Sequence, residues 1–318
     1  MAKIIESIPN ISEGRNLDIV EEIVDQVRNT PGCILMDYSS DENHNRSVIT
    51  YMGSPEAVEE ASVKIAVKAA SLIDLNDHKG EHPRMGAVDV MPFVPLVDTD
   101  IKECIALSKR VGERIAKEAK MPVFLYEKSA TSENCKNLAD IRRGGFEAMQ
   151  SKIDSGEFTP DFGGKQINKT AGIVAVGARK PLIAYNVQLD TSDVEIAKKI
   201  SSTIREANGG LPCVKAIGIM LESKNIAQVS MNLTDYTVTP PHVAVEKIKE
   251  EAAKLGAKVT GTELIGLMPM NALIKAGAYY LQIEDFDDKK RVIEEYLLWK
   301  SGKSFLLNKN IKSVIIYG

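Results

Sequence analysis

The strongest constraint in this chain is an order of elements that occurs twice. "KIIESIP" has strand character, and "NLDIVEEIVDQVRNT" carries Ile19, Ile23 and Val27 at the spacing of a helix face. "GCILMDY" and "NRSVITYMG" follow as strands. "SPEAVEEASVKIAVKAASLI" is a helix capped by Ser54 with Pro55 at its first position, and "AVDVMPFVPL" is the next strand. The sum is β-α-β-β-α-β. Later "PLIAYNVQL" reads as a strand and "SDVEIAKKISSTIREA" as a helix opened by a capping box from Ser192 to Glu195. "VKAIGIML" and "IAQVSMNL" form a hairpin around "ESKN", "TPPHVAVEKIKEEAAKLG" is a helix, and "AKVTGTELIG" closes a second β-α-β-β-α-β unit. The chain is therefore expected to be α/β (α+β), built from two ferredoxin-like halves with mixed sheets, residues 1–178 and 179–318. Between them lie a helix, "DIKECIALSKRVGERIAKEA", a strand, "PVFLYE", and an irregular Gly-rich stretch, "TPDFGGKQINKTAG".

Length and charge narrow the classes of function. At 318 residues the chain has room for about two ordinary domains. Its net charge of −4 contains no long block of one sign, so no broad nucleic-acid surface is expected. The four cysteines lie far apart, with neither a C-x-x-C pair nor a disulfide framework. The N-terminal apolar run is short and broken by Glu6 and Pro9, so it is read as neither signal peptide nor membrane span, and a cytoplasmic protein is expected.

Two features point to a polar site. On "IAQVSMNL" and "IAYNVQLD" one strand face carries Gln228, Ser230, Asn232, Asn186, Gln188 and Asp190; such a face either meets solvent or lines a polar cavity between the halves. The other feature is "DHKGEHPRMGAVDVMPFVP" at 77–95, where His78, Glu81 and His82 spell H-x-x-E-H. A zinc reading needs a helix there, yet Gly80 weakens one and Pro83 drives His82 out of the α region, so no metal is expected. His82 instead sits in a loop dense in polar groups that feeds a strand, a setting suited to proton transfer by an imidazole near neutral pH.

At this point a resemblance enters. "IPNISEG", "HNRSVITYMGSPEAV", "DHKGEHPRMGAVDVMPFVP", "DFGG", "GARKPLIAYNVQL" and "NIAQVSMNLTDYTVTPPH" together resemble the glutamate formimidoyltransferases over essentially the whole chain. That family comprises stand-alone enzymes and the N-terminal part of the animal formimidoyltransferase-cyclodeaminase. The resemblance implies transfer of a formimino group from N-formimino-L-glutamate to N5 of tetrahydrofolate, releasing L-glutamate, in histidine degradation. It also implies a homodimer whose subdomains face each other across a folate tunnel, with any cyclodeaminase step left to a separate protein. His82 matches the catalytic histidine. Gly163, Gly164, Lys165, Gln166, Ile167, Asn168, Lys169, Thr170, Ala171 and Gly172 match the folate-binding segment.

The chemistry needs no Ser or Cys nucleophile, because N5 of the folate attacks an amidine carbon. One imidazole can accept the N5 proton and return it to the departing glutamate nitrogen. A protonated amidine is cationic, so a nearby carboxylate helps, with Asp37, Asp41 and Asp89 as candidates. Animal members carry an aspartate where this chain has Ser39, which leaves Asp37 or Asp41 as the acidic partner of His82. Both substrates are anionic, and among Arg46, Arg84, Lys165, Lys169 and Arg179 the carboxylate contacts are assigned first to Arg46 and Arg84. Two other readings stand beside this one: formyl transfer between 5-formyltetrahydrofolate and glutamate, and a folate-binding protein without turnover.

Overall fold

The structure, a computed structural model, describes residues 3–80, 82–221 and 224–293. The chain divides into two compact units, Met1–Lys180 and Pro181–Gly318. The first runs through β1 (Ile4–Ser7), β2 (Asn10–Ile11), α1 (Leu17–Arg28), β3 (Cys33–Asp41), β4 (Arg46–Gly53), α2 (Pro55–Leu72), β5 (Val88–Val97), α3 (Ile101–Glu118), β6 (Val123–Glu127), α4 (Leu138–Arg142), α5 (Gly145–Asp154) and β7 (Val174–Ala178).

β1 and β2 behave as one interrupted strand. Both pair antiparallel with β4 on one side and with β5 on the other. The break falls at Ile8 and Pro9, where proline has no N–H for the ladder. Across the sheet the order is β3, β4, β1 with β2, β5, β7, β6; the pairs β5–β7 and β6–β7 are parallel and the others antiparallel. Helices cover both faces of its parallel part. Val123 and Leu125 of β6 and Val174 and Val176 of β7 point into a core shared with α1, α2 and α3. Phe124, Tyr126 and Ala175 point the other way, onto Ile141 of α4 and Met149 and Ile153 of α5.

Local chemistry sets the helix ends. Ser54 accepts the Ala57 N–H at the start of α2, as its sequence predicts, and Asp100 and Glu103 form a reciprocal capping box on α3. The buried stripe of α1 runs through Val20, Ile23, Val24 and Val27, with Ile19 at its margin.

The second unit contains β8 (Ile183–Leu189), α6 (Val194–Ile204), β9 (Val214–Leu221), β10 (Ile226–Leu233), α7 (Pro241–Lys254), β11 (Val259–Ile265), α8 (Met270–Tyr280) and α9 (Asp288–Arg291). Its sheet order is β11, β8, β10, β9, with every neighbour antiparallel. Of the mixed sheets expected, only the first has parallel pairs, because the extra strands β6 and β7 exist only there. The turn between β9 and β10 includes Glu222 and Ser223, which lie outside the described residues. The capping box expected from Ser192 does not cap α6. Asp193 takes that place and accepts the Glu195 N–H, its carboxylate lying one residue nearer the first turn. Ala227, Val229, Met231 and Leu233 of β10 are buried, while Gln228 and Ser230 register against Gln188 and Asn186 of β8 on the polar face.

Candidate active site

The site lies in the first unit, around the start of β5. Asp89, the second residue of that strand, is fully buried. Its Oδ1 accepts the Met85 N–H at 2.9 Å. Its Oδ2 is shared by two guanidiniums, Arg46 Nη1 at 2.9 Å and Arg142 Nη2 at 2.7 Å, whose side chains are 10% and 16% exposed. Arg46 opens β4, and its Nε–H donates to Asn10 Oδ1 at 3.1 Å in the neighbouring strand. Arg142 ends α4, on the sheet face that α4 and α5 cover. A buried ion needs a partner, and here one carboxylate serves two cations. The cluster therefore keeps one surplus positive charge. Burial pushes the Asp89 carboxyl up, but Arg142, Arg46 and His82 outweigh it and hold the group below the usual carboxylate range.

His82 stands in the loop leading to this strand. Its Nδ1 lies 2.7 Å from the Pro83 carbonyl. A carbonyl only accepts, so Nδ1 carries the proton and Nε2 presents a bare lone pair. Burial, then Arg46 and Arg142, depress the imidazole to a pKa of about 3, against which Asp89 and the Pro83 carbonyl pull upward. The ring is neutral at physiological pH, a base placed beside a cationic cluster.

The β3–β4 turn forms a second wall. Asp41 accepts the N–H groups of Asn43 and His44 on one oxygen and pairs with His44 Nδ1 at 2.8 Å through the other. His44 in turn meets the His82 ring edge-on, with centroids 6.2 Å apart. Asn45 ties this turn to the His82 loop: its carbonyl takes the His78 Nε2–H at 2.8 Å, and its amide donates to the Lys79 carbonyl at 3.2 Å.

The third wall is the segment 163–172. Gly86 and Gly172 form an antiparallel bridge, flanked by Ala87 N–H to Ala171 O at 2.9 Å and Ile173 N–H to Met85 O at 3.0 Å. Gly172 has φ +69°, and a Cβ there would sit on the Met85 carbonyl, so only glycine fits. Asn168 Oδ1 accepts N–H bonds from Thr170 and Ala171, and the carbonyl of Thr170 takes the Leu75 N–H. From α5 Gln150 grips the other end, accepting the Ile167 N–H and donating to the Lys165 carbonyl. Gly163, Gly164, Lys165, Gln166, Lys169 and Thr170 stay exposed.

The residues singled out in the sequence thus separate. His82, Arg46, Asp41 and Asp89 are gathered, and the 163–172 segment reaches the strand beside them through its last residues, Thr170 to Gly172. Asp37 lies further along β3, opposite Thr50 and beside a register shift, and Asp89 is a carboxylate whose charge raises the His82 pKa. Arg84 grips Glu147 through both Nη atoms at 2.9 and 2.8 Å and donates to the Leu75 carbonyl, so its fork joins the loop to α5. No helix spans the described residues from 74 to 87, and His78 and His82 turn to different carbonyls. Glu81, the glutamate of the zinc reading, lies outside the described residues. Among the described residues no group of three or more His, Cys, Asp or Glu is arranged to hold a metal ion. Sequence reasoning missed Arg142 and His44. The signal for His44 was its place two residues before Arg46, at a turn between strands; for Arg142 it was a paired arginine ahead of two glycines.

Comparison with known proteins places these features in a context. The model of the formiminotransferase domain, N-terminal subdomain, matches residues 4–179, and that of the formiminotransferase domain matches residues 184–300. A glutamate formimidoyltransferase of Streptococcus pyogenes serotype M1 is 49% identical over 298 residues, covering 94% of this chain and 100% of that one. One from Thermoplasma acidophilum is 44% identical, covering 90% of this chain and 94% of its own. The formimidoyltransferase-cyclodeaminase of Mus musculus is 38% identical across 99% of this chain, which spans 64% of that longer protein.

Proposed function

The chain belongs to the formiminotransferase family, and from that premise we propose that it transfers the formimino group of N-formimino-L-glutamate to N5 of tetrahydrofolate, giving 5-formiminotetrahydrofolate and L-glutamate. At the level of residues, one observation carries the reading: a neutral imidazole with a free Nε2 beside a carboxylate shared by two buried guanidiniums.

The steps follow from that arrangement. Holding both substrates together lowers the barrier by up to about 7–11 kcal/mol through lost freedom already accounted for in binding. N5 attacks the amidine carbon, and its proton passes to His82 Nε2. The same proton goes to the glutamate nitrogen as the carbon–nitrogen bond breaks, a contribution of roughly 10²- to 10⁴-fold. The surplus positive charge of Arg46 and Arg142 suits a carboxylate of formiminoglutamate. Its arrival offsets the guanidiniums that depress His82, so the imidazole becomes a better base once the donor is bound. The segment 163–172, with its exposed glycine backbone, is the folate contact, and Arg84 acts by holding the His82 loop against α5. The halves 1–178 and 179–318 are read as the two subdomains of the family, which the family-model boundaries support. A cytoplasmic homodimer acting in histidine degradation, with cyclodeaminase chemistry on another protein, completes the reading.

The test is a spectrophotometric assay of the purified protein with both substrates, acidified so that product becomes absorbing methenyltetrahydrofolate. The parent protein should form product, and His82→Ala should lose at least 10²-fold in rate while still binding folate. Full activity in His82→Ala would remove the imidazole from the mechanism.

A further inference from the structure

The Asp41–His44 pair has no place in the steps above. An ion pair in a hairpin turn is ordinarily a solvated contact of little energetic weight. Three observations set this one apart. The ring of His44 is turned edge-on to His82, with centroids 6.2 Å apart. Its Nδ1 is fixed by Asp41 at 2.8 Å, so Nε2 is the nitrogen left to exchange a proton. The loop carrying His82 is pressed onto this turn, since a side chain at Gly80 would collide with the His44 carbonyl.

We propose that His44, oriented by Asp41, is a positioning residue that relays the reaction's proton through His82. This rests on the transfer chemistry proposed above. Two guanidiniums near His82 oppose any positive charge on it, whereas His44 Nδ1 lies 2.8 Å from the Asp41 carboxylate. As the N5–H bond breaks, His82 Nε2 takes the proton. With the ring centroids 6.2 Å apart the nitrogens are too far for direct transfer, so the proton passes through one bridging water to Nε2 of His44. The charge then rests against Asp41. On cleavage of the carbon–nitrogen bond the proton returns by the same route and leaves on the nitrogen of glutamate, so protons and electrons balance over the cycle.

Among the described residues, the titratable and charged groups around His44 include Asp41 and Glu42 on its own turn, His82, His78 and Lys79 on the facing loop, and Arg46, Asp89 and Arg142 near His82. Hydrogen bonds from the backbone and ring of His44 outweigh burial and hold the Asp41 carboxyl below its ordinary range, so Asp41 stays ionised wherever the relay works.

The experiment compares the parent protein with His44→Gln, His44→Ala and Asp41→Asn in steady-state assays from mildly acidic to alkaline pH, with thermal unfolding as the check on folding. The expected result is a fall in kcat of roughly 10- to 100-fold in His44→Gln, smaller than the loss of a group touching substrate, with KM for both substrates within about two-fold. The acid limb of the kcat profile should flatten in that variant, and added imidazole should restore part of the rate of His44→Ala. Asp41→Asn should lower kcat in the same direction as His44→Gln with KM for both substrates unchanged, and a kcat equal to the parent's overturns the role given to Asp41. An unchanged kcat and acid limb in His44→Gln overturns the relay, and so does a raised KM with unchanged kcat, which would mark a binding role. If the parent protein itself transfers no formimino group, the relay falls together with the reaction it serves; an active parent with indifferent variants sinks the relay alone.

Discussion

Replacing Asp89 by Asn tests the electrostatic centre of the first unit. The substitution keeps the shape and the oxygen that accepts the Met85 N–H, but removes the charge that Arg46 and Arg142 share at 2.9 and 2.7 Å. Two nearly buried guanidiniums are then left without a counter-ion. Breaking a buried pair in this way costs about 3–5 kcal/mol. For a unit of 150–250 residues each kcal/mol lowers the melting temperature by about 2–4 °C, so the expected drop is roughly 6–20 °C. Differential scanning calorimetry at pH 7 reads it, since the carboxylate is fully ionised there. Adding Arg142→Met should recover part of the loss, because only one cation then remains uncompensated. A melting temperature for Asp89→Asn within about 2–4 °C of the parent, a change of only about 1 kcal/mol, would refute the idea that this carboxylate neutralises the cluster.

Two further outcomes follow from the same geometry. Gly172→Ala forces a side chain into a left-handed position and onto the Met85 carbonyl, and should destabilise by about 2–5 kcal/mol in urea unfolding, the sum of the backbone and overpacking costs. The depressed imidazole of His82 has a pH signature: its folded value, about 3, lies below the ordinary 6.5, so the unfolded chain binds the proton first. Its contribution to stability is therefore complete above pH 6.5 and declines as pH falls toward 3. His82→Gln should lose less stability than the parent between about pH 6.5 and 4.5, ahead of most carboxylate titration. Parallel pH-stability curves for the two proteins would rule this out.

How much of this was legible beforehand depended on the kind of signal. Period-2 and period-3.6 patterns marked most strands and helices of both β-α-β-β-α-β runs, because those elements have one wet face, whereas β5 was read from its apolar run and is buried over Val88–Val94. β7 escaped notice since it is buried on both faces, and "VAVGA" then has no alternation to read. α4 and α5 were hidden by the Gly144–Gly145 pair between them, which reads as a breaker although Gly144 caps α5 in the left-handed region. His82 stood out because Gly and Pro punctuated its surroundings. Arg46 and Asp89 were singled out too, but as contacts for substrate, and Arg142 was missed; that the three form one cluster was hidden because they come from separated segments and meet only when β4, β5 and α4 are assembled. His44 was passed over for the same reason: proximity across a β-hairpin turn and a facing loop leaves no mark in linear spacing.

The bridge between Gly86 and Gly172 has a consequence for how such a protein can change over generations. Because the loop that carries the imidazole and the segment proposed to meet folate are laced through Met85, Ala87, Ala171 and Ile173, neither can be exchanged alone. A graft of residues 163–172 from a relative with a different taste in folate would have to bring its own version of residues 83–88. The two stretches lie far apart in the gene, yet they form one unit of inheritance, and a change in folate preference is expected to arise by coordinated substitutions in both.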